Sequence, residues 1–281
     1  MTSRISFEPI DRRRNLSLRE FRREYYRAGK PVILEDAMDE WNAKAWSFEF
    51  LKSRFGKTIV ETYRYEAGEY QPNNVHRIPL ETFIDNILIH DWDSFPYYFR
   101  DNWQLFVQHN ELLTGFSQPK YFFDWFRLFP TSLRRPGLRI FIGPKGAVTN
   151  MHQDVWGTHF WMAQIAGRKR WVLFSPDQRD FLYENCWRVR PDNPDLERFP
   201  MFAKAKGMEC TLGPGDLIFV PSNWVHWVLS LDPTISITYN FMGPGCFRPC
   251  LAGYSTFLRS QFGNGLRRRF AIAARAKSQL Q

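Results

Sequence analysis

A chain of 281 residues fits one large domain, and its 44% hydrophobic and 17% aromatic content, with 11 tryptophans, excludes disorder over most of its length. It contains no apolar run of the roughly 18 residues that a membrane-crossing helix needs, and the opening MTSRISFEPIDRRR lacks the apolar stretch of a secretory signal, so a cytosolic protein is expected. The net charge of +9 gathers at the ends, in Arg12, Arg13 and Arg14 and after Tyr254, in the pattern of a solvated helix face; a nucleic-acid partner is not expected.

Taken in chain order, SLREFRREYYRAG reads as a helix with a serine cap and a closing glycine at Gly29. KPVILED follows as a short apolar strand, WSFEFLKSRFG as an amphipathic helix ending at Gly56, PLETFIDNIL as a further helix and SFPYYFRD as a strand. From Leu138 onward the segments are short strands punctuated by glycine and proline: LRIFIGPKG, THFWMAQIAG, KRWVLFSP, MECTLGPGD, LIFVPSNW and ISITYNFM. Antiparallel strands without helical crossovers predict a mainly β fold, a double-sheet jelly roll, with helices at both ends. The expected organisation is an N-terminal elaboration over 1–130, a barrel core over 131–250 and a basic helical tail over 251–281. The four cysteines, Cys186, Cys210, Cys246 and Cys250, form no CxxC pair and read as reduced thiols.

The chemistry-bearing pattern is MHQDVW together with PSNWVHWVL. On an extended strand, residues two apart share a face, so His152 and Asp154 can bind one ion while Gln153 points away, and His226 comes from a distant strand. Two imidazoles and one carboxylate leave coordination positions open, which suits non-haem iron. The three residues alone also fit a packed core: His152 beside a capping aspartate, and His226 between Trp224 and Trp227. The longer segments TNMHQDVWGTHFW, AQIAGRKRWVLFSP and GPGDLIFVPSNWVHW resemble the Jumonji-C oxygenases in order and spacing. HQDVWGTHFW is similar to the lysyl hydroxylases of that group, and DNPDLERFP with ISITYNF to asparaginyl hydroxylases of the factor-inhibiting-HIF type.

This resemblance implies the cupin-like double-stranded β-helix, Fe(II) held by His152, Asp154 and His226, 2-oxoglutarate as cosubstrate and O2 as oxidant. It also implies oxygen insertion at a C–H bond, with succinate as coproduct. A dianion needs a cation, and Lys169, on a strand where 169, 171 and 173 share a face, is the implied anchor, with a surface lysine as the alternative. Thr149 and Tyr98 match the positions that donate hydroxyls to the same carboxylate. Thr149 stands three residues before His152 and requires a bulge to share its face, and Tyr97 competes with Tyr98. In PTISITYNFM the apolar Ile235, Ile237, Tyr239 and Phe241 alternate with Thr234, Ser236, Thr238 and Asn240, so the polar side faces either solvent or the site; the resemblance places Asn240 beside the cosubstrate. Met162 departs from the pattern, since many relatives carry asparagine there.

Trp156, Trp161, Trp187, Trp224 and Trp227 are candidate walls for such a site. The resemblance suggests a hydroxylase of protein or peptide side chains. A small-molecule oxygenase of the same mechanism, acting on a free amino acid or natural product, and a non-catalytic cupin that only binds are the rival readings; histone demethylation fits less well. The tail LRSQFGNGLRRRFAIAARAKSQLQ is amphipathic, which raises a homodimer through C-terminal helices beside the alternative of a solvated terminal helix.

Overall fold

The computed structural model describes residues 6–66, 69–101, 104–129, 137–183 and 188–256. The expected helical tail beyond 256, together with Cys186 and Trp187, lies outside the described residues. In chain order the strands are β1 (Glu8–Pro9), β2 (Arg12–Arg13), β3 (Val32–Leu34), β4 (Ile59–Glu66), β5 (Glu69–Pro79), β6 (Tyr97–Asp101) and β7 (Leu138–Gly143). They continue with β8 (Val148–His152), β9 (His159–Ala166), β10 (Lys169–Phe174), β11 (Gly207–Leu212), β12 (Leu217–Val220), β13 (Val225–Ser230) and β14 (Thr234–Phe241). A five-stranded sheet runs β1-β11-β10-β13-β8, and a nine-stranded sheet runs β2-β3-β12-β9-β14-β7-β6-β4-β5. From β4 onward the pairings are antiparallel apart from the short β1–β11 contact, as the jelly-roll reading predicts.

Side-chain alternation divides the large sheet into two faces. On β9, Trp161, Ala163 and Ile165 point outward, and on β14 Ile235, Ile237 and Phe241 do the same. The N-terminal helices cover this outer face. Ser17 caps the first helix, α1 (Leu18–Phe21), through a reciprocal pairing with Glu20: the Glu20 amide donates to Ser17 Oγ at 3.2 Å and the Ser17 amide to Glu20 Oε2 at 3.0 Å. The helix continues as a π-helical turn, Arg22–Tyr26. Ser47 caps α2 (Phe48–Phe55) by accepting from the Phe50 amide at 3.0 Å. On α3 (Leu80–Ile89), Leu80, Phe83, Ile84 and Ile87 recur at helical spacing and are all buried. Burying each such side chain contributes about 1.5–3 kcal/mol, which fastens this layer onto the sheet.

The small sheet is covered on its outer face by Leu182, Val189, Phe202 and Ala205, which pack with Val172, Phe174 and Trp227. Between the two sheets lies a second core containing Phe160, Met162, Trp171, Leu173, Ile218 and Val228. The hairpin β4–β5 is the element that sequence reading passed over. Its strand TIVETYRYE alternates in the manner of a strand, yet it sits between two stronger helical patterns and ends in no proline-glycine turn. No described helix is long and apolar enough to cross a membrane. Among the described residues, Cys210, Cys246 and Cys250 are free thiols.

Candidate functional site

β8 and β13 are paired so that His152 stands directly opposite His226, with ring centroids 4.2 Å apart. Asp154 lies beyond the end of β8, and the argument from a shared strand face needs correcting to that extent: extended backbone at Asp154 (φ −66°, ψ 146°) carries the same alternation two residues past the ladder. Trp156 then adopts left-handed backbone at φ 65°, an uncommon conformation for a bulky side chain, and turns the chain away. One ligand atom from each of His152, Asp154 and His226 lies within 4.8 Å of the others. The Asn150 carbonyl accepts from His152 Nδ1 at 2.8 Å, which leaves the Nε2 lone pair for the site. Burial pushes the His226 imidazole down to about 3, so it is neutral and able to ligate. Burial acts to raise the Asp154 carboxyl, but the two imidazoles, the Asn240 amide and Arg139 outweigh it and hold the group below its ordinary value. Gln153 points away: its amide donates to the Asn223 carbonyl, and its oxygen accepts from Arg179 at 2.7 Å.

At the other end of the same cavity Lys169 is only 2% exposed, which removes the surface-lysine alternative. Its Nζ donates to Tyr98 Oη at 3.0 Å and lies 5.8 Å from the centre of the Phe141 ring. Among the described residues no carboxylate pairs with it, and burial lowers its amine to about 7. Gly167, at φ 68°, makes the β9–β10 turn that sets Lys169 at the start of β10. Gly143 makes room for the Tyr98 ring, which a Cβ there would strike. Tyr97 faces the opposite side of β6 and stacks on His76 at 4.9 Å, so Tyr98 is the tyrosine in the cavity.

The register of β8 resolves the position of Thr149. His226 pairs with His152, but Val228 pairs with Thr149, so Asn150 and Met151 on β8 together oppose the single Trp227 on β13. That bulge brings Thr149 and His152 to one face, as the spacing required. Apart from Tyr65, the other strands line the cavity at two-residue intervals: Tyr98 and Arg100, Arg139 and Phe141, Phe160 and Met162, Lys169 and Trp171, His226 and Val228, Thr238 and Asn240. The cavity volume is about 60 Å³. Asn240 Nδ2 donates to Asp154 Oδ2 at 2.8 Å and to Thr158 Oγ1 at 3.0 Å, while Arg139 donates to Asn240 Oδ1 at 2.7 Å. The strand carrying Asn240 lies between β7 and β9, and its polar face is buried.

Sequence reasoning missed Arg100, Arg139, Phe141 and Trp171, all legible as alternation partners once one neighbour in each strand is placed. The tryptophan walls proved different from those expected. Trp161 faces the helical layer, Trp224 donates to the Gly29 carbonyl at 3.0 Å, Trp227 faces the outer cover, and Trp156 packs on Phe126 and Tyr254. Trp171 lines the cavity instead, stacked on His226, and its buried indole N–H has no hydrogen-bond partner among the described residues. The residues fit both expected groups. Two neutral imidazoles and a carboxylate suit a divalent transition metal, and a buried ammonium with two hydroxyls suits an anionic cosubstrate.

Comparison with known proteins agrees in outline. The chain is 32% identical over 246 residues to lysine-specific demethylase JMJ21 of Arabidopsis thaliana, covering 83% of this chain and 25% of that protein. It is 31% identical over 241 residues to the bifunctional arginine demethylase and lysyl-hydroxylase psr-1 of Caenorhabditis elegans, covering 81% and 59%. It is 27% identical over 274 residues to the 2-oxoglutarate and iron-dependent oxygenase JMJD4 of Gallus gallus, covering 87% and 62%. The chain thus spans less than two thirds of the length of each of these relatives. A profile of the cupin-like domain matches residues 18–245, and with the two-sheet architecture around the His152–Asp154–His226 group this establishes that the chain belongs to the cupin-like domain family.

Proposed function

We propose that the chain is an Fe(II)- and 2-oxoglutarate-dependent dioxygenase that hydroxylates an amino-acid side chain of a protein or peptide. The observation that carries this reading is one cavity with two chemically distinct ends: a His-Asp-His group at one, and a buried, carboxylate-free lysine at the other. In the balanced reaction R–H, O2 and 2-oxoglutarate give R–OH, succinate and CO2. Bound iron supplies the redox chemistry and the open coordination positions.

The protein's own residues do the rest. Nε2 of His152 and of His226 and a carboxylate oxygen of Asp154 hold the metal, and Asn240 fixes the orientation of that carboxylate. Lys169, with hydroxyls from Tyr98 and Thr149, receives the far carboxylate of the cosubstrate. Phe141, Phe160, Met162 and Trp171 exclude water between the ends. Met162 in place of an asparagine leaves the polar contact on that wall to Asn240. A groove of about 1060 Å³ that shares Tyr65 with the cavity and runs past Asn150 to Arg188, Arg190 and Arg198 favours an extended peptide over a small molecule.

The proposed organisation keeps the N-terminal elaboration at 1–130, the catalytic barrel at 131–250 and the basic tail at 251–281, the last joining two copies, in a cytosolic enzyme. Conversion of labelled 2-oxoglutarate to succinate, with and without Fe(II) and without added substrate, tests the reading. His152→Ala and Asp154→Ala are expected to abolish the iron-dependent fraction while far-UV circular dichroism is unchanged. Turnover near wild type in either variant would remove the assignment. Light scattering of the full chain against a chain ending near Tyr254 tests the dimer, which a full-length monomer would eliminate.

A further inference from the structure

One buried carboxylate stands outside both ends of the cavity. Asp124, which caps the short 3-10 helix Trp125–Leu128, is 2% exposed and accepts three hydrogen bonds. Its Oδ1 accepts from the amides of Phe126 and Met242, each at 3.0 Å, and its Oδ2 accepts from the Tyr239 hydroxyl at 2.9 Å. A carboxylate is costly to bury unless donors of this kind surround it. One of these donors belongs to its own helix, and the other two flank Asn240 along β14.

Those two contacts fall where the sheet itself gives out. β14 is paired with β7 as far as Tyr239 opposite Leu138, and the Asn240 amide adds a bond to the Gly137 carbonyl at 3.0 Å. On its other edge β14 is paired with β9 as far as Phe241 opposite His159. At Met242 the segment Asp124–Trp125 stands in for a neighbouring strand: the Asp124 side chain accepts from the Met242 amide, and the Trp125 amide donates to the Met242 carbonyl at 2.9 Å. The grips lie one residue before Asn240 and two residues after it. They fix the stretch of backbone from which the Asn240 side chain projects into the cavity, where its amide donates to Asp154 at 2.8 Å. A strand end free to shift would carry that amide out of line with the carboxylate, and hydrogen bonds weaken steeply when misaligned.

We propose that Asp124 is a positioning residue for the metal site, acting from outside the cavity through β14 and Asn240 on the Asp154 carboxylate. This inference rests on the reading of His152, Asp154 and His226 as metal ligands.

Titration of the full chain with Co(II), followed by its visible absorption, reads both affinity and ligand geometry. Asp124→Ala is expected to weaken Co(II) binding about tenfold and to alter the spectrum. Asp124→Asn is expected to keep both near wild type, since its amide oxygen can accept from the two backbone amides and its NH2 can donate to the Tyr239 oxygen. In an Asn240→Ala background, Asp124→Ala should cost less than about threefold further, because the residue it acts through is gone. Tyr239→Phe removes one grip and keeps the ring; it should weaken binding about twofold to threefold, and it carries the test if Asp124→Ala does not fold. A carboxylate that serves the fold alone would lower the unfolding midpoint and leave the Co(II) affinity and spectrum of the folded protein unchanged. That result in Asp124→Ala, or in Tyr239→Phe where the alanine variant does not fold, overturns the proposal. So does an equal loss in both backgrounds, or binding by Asp124→Asn as weak as by Asp124→Ala. Wild-type protein that binds no Co(II) removes the metal-ligand reading and this proposal with it.

Discussion

The ammonium of Lys169 on β10 and the hydroxyl of Tyr98 on β6 meet at 3.0 Å across the gap between the two sheets, joining positions 71 residues apart in the chain. The tyrosine brings no charge, since burial raises its phenol and keeps it neutral. The lysine is therefore a buried cation awaiting a counter-ion, and its amine, lowered to about 7, is partly deprotonated at neutral pH. A dianion binds the protonated form, so binding takes up a proton wherever the empty site is deprotonated. The affinity for 2-oxoglutarate is expected to be level below about pH 7 and to fall about tenfold per pH unit above it. Calorimetry in buffers of different ionisation enthalpy measures the proton uptake, and Lys169→Ala should abolish both the uptake and the tight binding. Binding that is independent of pH between 6 and 9 would contradict this account.

Lys169→Met should separate function from stability. The native amine sits well below the unfolded value of 10.5, so the native state bears the full cost of a buried charge below about pH 7, and that cost shrinks as pH rises toward 10.5. Methionine fills the same space without the charge. The variant is expected to bind no 2-oxoglutarate, yet to be more stable to denaturant by about 1–4 kcal/mol near pH 6, with a smaller advantage at pH 9. A destabilised variant at pH 6 would argue that the ammonium has an unseen partner.

Asn240 is the positioning residue for Asp154. Its amide is held one way round, because Arg139 can only donate to the oxygen, which turns the NH2 toward the carboxylate and Thr158. Asn240→Ala should lower metal affinity about 10–100-fold with the fold retained, as outer contacts to ligating carboxylates commonly do. Titration with Co(II), followed by its visible absorption, measures it; an unchanged affinity would leave Asn240 a packing residue.

The sequence made the strands and the site legible to different depths. Period-two alternation in KRWVLF and ISITYNF groups Lys169 with Trp171 and Asn240 with Thr238 on one face of each strand but leaves open whether that face meets solvent or the site, a choice that only the resemblance made, while the β8 bulge could be deduced from Thr149 and His152 both needing one face. Arg100 and Arg139 stayed hidden because a lone arginine in a strand reads as solvent-facing until the neighbouring strand is paired. The tryptophans misled for a related reason: Trp161 follows inward-facing Phe160 by one residue, so its bulk belongs to the opposite face.

Gly143→Ala tests how closely β7 approaches Tyr98. The added methyl would meet the Tyr98 ring, which must shift away from Lys169. The substitution should cost about 1–3 kcal/mol of stability and weaken 2-oxoglutarate binding, while Co(II) affinity changes far less because the three ligands come from β8, the turn after it and β13. Equal losses at both ends would show that the cavity deforms as a whole.

The pairing of His152 with His226 across one rung of the β8–β13 ladder makes the metal site a two-toothed chelate set by the sheet, with Asp154 as a short third arm hung from the turn that follows. An arriving ion has only that arm to close, and its travel is limited by Asn240 on one side and the left-handed turn at Trp156 on the other. Most of the ordering entropy of the ligand set is already lost when the strands pair. Stripping the metal with a chelator should then be a local and reversible event that leaves both sheets standing, in contrast to small domains whose folding waits on their ion.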